Sequence, residues 1–67
     1  VPVKKEDIHF VLKHQFGNVA DLKKRVGQHA YRYFRDRGVI WVDLDEREYC
    51  VTEKGKKHLF MLQNFVD

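Results

Sequence analysis

Serine is absent from this chain, and cysteine, proline, tryptophan and methionine each occur once. The lone Cys50 rules out an intramolecular disulfide and with it the stapled, secreted mini-protein class, so a reducing intracellular compartment, cytoplasmic or nuclear, is expected. No apolar run is long enough to span a bilayer and no secretory segment is visible, which sets membrane partners aside. The only proline is Pro2, no segment is of low complexity, and nothing repeats at a period of about 20 to 50 residues, so no linker or repeat divides the chain. Catalytic parts are equally scarce. There is no serine hydroxyl and no phosphate-cradling glycine loop, and His9, His14, His29 and His58 are scattered without zinc-ligand spacing. Carboxylates gather only in an open stretch from Asp43 to Glu48, where nothing desolvates them. Cys50 reads as a packing residue rather than a reactive one. These absences describe a non-enzyme that takes no cofactor and no metal.

What is present fits one small α+β domain covering residues 1–67. A chain of this length buries only roughly 60% of its unfolded surface, so each core position counts. Lys and Arg number 13 against 10 Asp and Glu, for a net charge of +3. That excess is too small to demand a polyanionic partner, and its distribution must decide.

Ile8, Val11, Leu12 and Phe16 recur at spacings of three and four, which predicts an amphipathic helix from Lys4 to Phe16 closed by a left-handed Gly17. Asn18 is a good capping residue for a second helix, Asn18 to Val26, with Val19, Leu22 and Val26 on one side and Gly27 as its stop. A third helix, Gln28 to Arg37, turns Ala30, Tyr31 and Phe34 inward and ends at Gly38. No strand is visible between the first two helices.

After Gly38 the period becomes two, and Val39 to Thr52 reads as a β-hairpin. Asp45 and Glu46 lack the glycine or asparagine of a two-residue turn, so a longer loop is expected. Centred there, the hairpin pairs Val42 with Tyr49 and Ile40 with Val51 on the core side, and Trp41 with Cys50 outside. Thr52 then caps a last helix from Glu53 to about Phe65. The expected core is Ile8, Val11, Leu12, Phe16, Leu22, Val26, Ala30, Phe34, Ile40, Val42, Val51, Leu59 and Leu62. Gly55, an interior glycine three residues after the cap, is explained by a helix that must start close against the hairpin.

Two stretches carry a resemblance. "FRDRGVI" (Phe34 to Ile40) looks like the end of the third helix of the winged helix-turn-helix superfamily, and "YCVTEKGKKHL" (Tyr49 to Leu59) is similar to its T-x-x-G strand-to-helix signature. The element order resembles that superfamily over nearly the whole chain, although the family's small strand after the first helix is not apparent and Val19 to Gly38 is short. The resemblance implies three helices, a two-stranded hairpin wing and a C-terminal helix. It also implies duplex DNA binding, as in a transcriptional regulator or a DNA-processing complex, with the third helix in the major groove.

On that reading Gln28, His29 and Arg32 meet base edges, while Lys23, Lys24, Arg25, Arg35 and Lys54 meet phosphates. Asp43, Asp45, Glu46 and Glu48 against a single Arg47 argue the other way, because an acidic wing tip laid on a DNA backbone is repelled. The alternative is a protein-interaction module or a subunit of a larger nucleoprotein assembly, with RNA a further candidate partner. It would use Trp41, whose ring is either an exposed anchor or half covered by a neighbour. Leu59 to Leu62 and Phe65 to Val66 exceed one helical face, so Phe60, Met61 and Phe65 are a candidate protein interface, including a homodimer through the last helix.

Overall fold

A computed structural model describes residues 3–65. In order, the elements are α1 (Lys5–Lys13), β1 (Phe16–Asn18), α2 (Val19–Val26), α3 (Gln28–Asp36), β2 (Ile40–Asp43), β3 (Glu48–Val51) and α4 (Glu53–Leu62). The three strands among the described residues form one antiparallel sheet in the order β1-β3-β2, so over those residues the fold is α+β with four helices.

α1 begins where the Asp7 carboxylate accepts a hydrogen bond from the Lys4 amide (3.4 Å). Asp21 and the Asn18 cap open α2 in a comparable way, Asn18 Oδ1 accepting from the amides of Ala20 (2.8 Å) and Asp21 (3.4 Å). A single residue, Gly27 at φ 90°, separates α2 from α3. α3 ends in a Schellman arrangement: Gly38, at φ 72°, donates to the Arg35 carbonyl (3.2 Å) and Val39 to that of Phe34 (2.8 Å).

The hairpin register is the one the alternation predicts, with Ile40 opposite Val51, Trp41 opposite Cys50 and Val42 opposite Tyr49. Its loop, 44–47, is shaped by Asp43 Oδ1, which accepts from the amides of Asp45 (3.0 Å) and Glu46 (3.2 Å), and by Arg47 in the left-handed region at φ 54°. Thr52 then works in two directions. Its Oγ1 accepts from the Gly55 amide (2.8 Å) to cap α4, and donates to the Gly38 carbonyl (2.8 Å) to fasten that cap to the end of α3. A Cβ on Gly55 would overlap the Val39 carbonyl, so the close approach demands glycine there.

Several expectations are corrected. α1 stops at Lys13, not Phe16, because tertiary bonds draw the next residues into extended chain: the Tyr49 hydroxyl donates to the His14 carbonyl (2.7 Å) and the Val51 amide to that of Gln15 (2.7 Å). Residues 16–18 then form the strand the sequence did not reveal, pairing Phe16 with Cys50 and Asn18 with Glu48. Gly17 is therefore a strand residue under the Tyr49 ring rather than a left-handed helix stop. Phe16, assigned to the core, is 79% exposed. Leu12, Val26 and Val42 are only partly buried, whereas Val3, Val19, Tyr31, Val39 and Tyr49 belong to the core with Ile8, Leu22, Phe34 and Leu59. α4 closes at Leu62 and continues only as turns through Phe65; Val66 lies outside the described residues.

Candidate functional site

Helix period and strand alternation together decide which side chains meet outside the core. Burial of Ala30, Tyr31 and Phe34 turns Gln28, His29, Arg32, Arg35 and Asp36 of α3 outward, and all five are exposed. Lys23, on the last turn of α2, sits beside them, its Nζ 4.8 Å from the centre of the Tyr31 ring, a distance at which the ring face attracts the ammonium.

Two hollows adjoin there. A small one of about 150 Å³ is lined by Lys23, Gln28, Tyr31, Arg32 and Arg35, with Asp36 as the one acidic side chain. The larger, about 440 Å³, lies between α2, α3 and the hairpin. Val19, Tyr31, Val42 and Leu44 give it apolar walls, and Lys23, Arg35 and Arg47 supply its cationic groups. Arg47 reaches this side because the loop ends on it in the left-handed conformation, and its carbonyl accepts from the Val19 amide (2.9 Å), fixing the loop to the start of α2.

Asp43 and Glu48, by contrast, line a third hollow of about 230 Å³ on the outer face of the sheet. That face carries one row of Phe16, Cys50 and Trp41 across the three strands, and a second of Asn18, Glu48 and Asp43. Cys50 is thus exposed on the outer face, not packed away, and Trp41 is 58% exposed. Arg47 thus lines one side of the hairpin and Asp43 and Glu48 the other, with Asp45 and Glu46 exposed in the loop between the strands, a division that composition alone hides.

The sequence-predicted residues divide accordingly. Gln28, Arg32, Lys23 and Arg35 come together around the small hollow. Lys24, His29 and Lys54 are exposed but line neither basic hollow, and the Arg25 guanidinium stands over the Phe10 ring of α1 at 5.3 Å. Sequence reasoning missed Arg47, counted only as one base among acids, and Tyr31 as a wall as well as a core residue. On α4, Phe60, Met61 and, just beyond it, Phe65 are exposed at 58%, 57% and 75%.

Burial, followed by the nearby Asp21 charge, raises the Tyr49 phenol above its ordinary value of 10.0. Its proton is held in the bond to the His14 carbonyl, a structural rather than a reactive role. Among the described residues, no three or more His, Cys, Asp or Glu side chains are placed to hold a metal ion, and no helix is long and apolar enough to cross a membrane. Comparison of the chain with protein-family models, with curated proteins and with solved structures gives no match in any of the three.

Proposed function

We propose that this chain is a winged-helix module that binds duplex DNA without catalysing a reaction, working inside the cell as part of a regulator or a DNA-processing complex. The element order and the nearly direct α2–α3 junction support the winged-helix reading, and β1 supplies the small strand that the sequence pattern did not reveal. One observation carries the functional reading: Arg47 of the hairpin joins Lys23 and Arg35 around one hollow, while Asp43 and Glu48 line another. Two of the hairpin's four carboxylates, Asp43 and Glu48, thereby line a different hollow from Arg47, while Asp45 and Glu46 stay exposed in the loop. With α3 in the major groove, Gln28 and Arg32 meet base edges, and Lys23, Arg35 and Arg47 meet phosphates on either side.

The test is binding to random duplex DNA over a range of salt concentrations. Log affinity falls linearly with log salt if the basic face releases counterions, and no binding at low salt would sink the proposal. Replacing Arg32 with Ala weakens binding by about 1 to 3 kcal/mol and relaxes one base preference. Competition with duplex RNA separates the two nucleic acids, because the deep, narrow A-form major groove does not admit a helix.

A second reading has its own observation. Exposed Phe60 and Met61 on α4, with Phe65 just after it, support association of two copies through the last helix, which matches two half-sites to a two-fold dimer. Sedimentation at increasing concentration tests it, and a monomer throughout rejects it.

A further inference from the structure

The outer face of the sheet is not used by the nucleic-acid reading, and it has a shape and a charge of its own. β3 is the central strand, so Cys50 lies between Phe16 on β1 and Trp41 on β2. Two strand spacings separate the aromatic side chains, roughly 10 Å. A small side chain between two large ones makes a dip, and this one measures about 230 Å³. Phe16 and Trp41, 79% and 58% exposed, form its sides.

Two residues further along each strand, roughly 7 Å away, the same face presents Glu48 in the centre and Asp43 beside it. Both carboxylates line the dip. Asp43 commits Oδ1 to the loop amides of Asp45 and Glu46, which holds its carboxylate in place and directs the other oxygen elsewhere.

An unbranched, apolar stem ending in a planar cation matches this order of features. Its methylenes fit over Cys50 between the rings, its guanidinium stacks against Trp41, and the fork of N–H donors reaches Glu48 and Asp43. We propose that this face docks a basic peptide segment of a partner protein, seating an arginine side chain between Phe16 and Trp41 with its charge on Glu48 and Asp43. The net charge of +3 does not prevent this, because screening over about 8 Å lets the local acidic row dominate at physiological salt. A nucleic acid is disfavoured here for the same reason: its bases would stack on the rings, but its phosphates would meet Asp43 and Glu48.

Trp41 is the only tryptophan, so its emission reports this site directly. The probe is a short, terminally blocked peptide in which arginine alternates with leucine, compared with the same peptide carrying citrulline or glutamate in place of arginine. Saturable blue-shifted emission with the arginine peptide is expected. Binding weakens roughly tenfold or more in the double variant Asp43→Asn, Glu48→Gln, since bonds to charged groups are lost while the side-chain amide oxygen introduced at position 43 keeps the loop bonds. The single variant Glu48→Lys repeats the loss without touching the loop, and Arg32→Ala leaves peptide binding unchanged. Equal response to the citrulline or glutamate peptide, undiminished binding by the variants, or no response to arginine overturns the proposal. So does a blue shift that grows with protein concentration alone, which assigns the face to a second copy, or saturation by oligothymidylate, which assigns it to single strands.

Discussion

Gly55 and Tyr49 show how single residues hold this chain together. By helix propensity alone, Gly55→Ala should stabilise α4 by about 1 kcal/mol. The Val39 carbonyl occupies the position a Cβ would take, and a backbone atom cannot rotate aside as a side chain does. Overpacking therefore wins, and Gly55→Ala is expected to lower stability by about 3 kcal/mol in urea unfolding. An alanine variant as stable as the parent would mean that α4 and the β2 entrance do not touch. Tyr49 gives a pH signature. Its phenol is raised in the folded state, so its contribution is whole below pH 10.0 and declines as pH rises through the raised value, where the unfolded chain ionises first. Tyr49→Phe loses the bond to the His14 carbonyl and costs about 1 kcal/mol at neutral pH. Above pH 10.0 the gap between parent and variant narrows, and a gap independent of pH would contradict the assignment.

At the scale of elements, local signals were legible where a cap or a stop sits beside a regular period. Asn18, Gly38 and Thr52 mark their boundaries within the chain itself, and the strand alternation after Gly38 set the hairpin register correctly. β1 was not legible, for a physical reason. Three residues, Phe-Gly-Asn, are too few to show a period, and the strand that defines them by pairing, Glu48 to Cys50, lies thirty or more residues away. Phe16 stands at helical spacing from Leu12, so local reasoning extended α1 until the sheet overruled it. Arg47 was hidden likewise, since loop conformation and not composition turns it toward α2 and α3. The Thr52 junction is the element-level prediction. Thr52→Ala removes both the cap and the tie to Gly38 and is expected to cost about 2 kcal/mol, while Thr52→Ser, which keeps the hydroxyl, costs much less. Equal losses in thermal unfolding would place the effect in the methyl group rather than the bonds.

For the whole molecule, the disposition of charge matters more than its sum. A net charge of +3 describes a weak base, yet Lys23, Arg32, Arg35 and Arg47 gather around adjoining hollows while Asp43 and Glu48 line the outer face of the sheet. If a duplex lies along the basic side, each phosphate contact releases about one counterion, and its removal lowers the log–log salt slope by about 1. Lys23→Ala, Arg35→Ala and Arg47→Ala are each expected to do so, with Arg47→Ala the most informative because it tests the hairpin itself. The carboxylates give the opposing test. Were the outer face of the sheet laid against the backbone, neutralising Asp43 and Glu48 would relieve repulsion and strengthen binding. With those groups on the outer face, Asp43→Asn and Glu48→Gln leave both affinity and salt slope nearly unchanged at physiological ionic strength, where charges beyond about 8 Å are largely screened. A marked gain in duplex affinity on neutralising them would place the wrong side of the hairpin on the DNA and overturn the orientation given to α3.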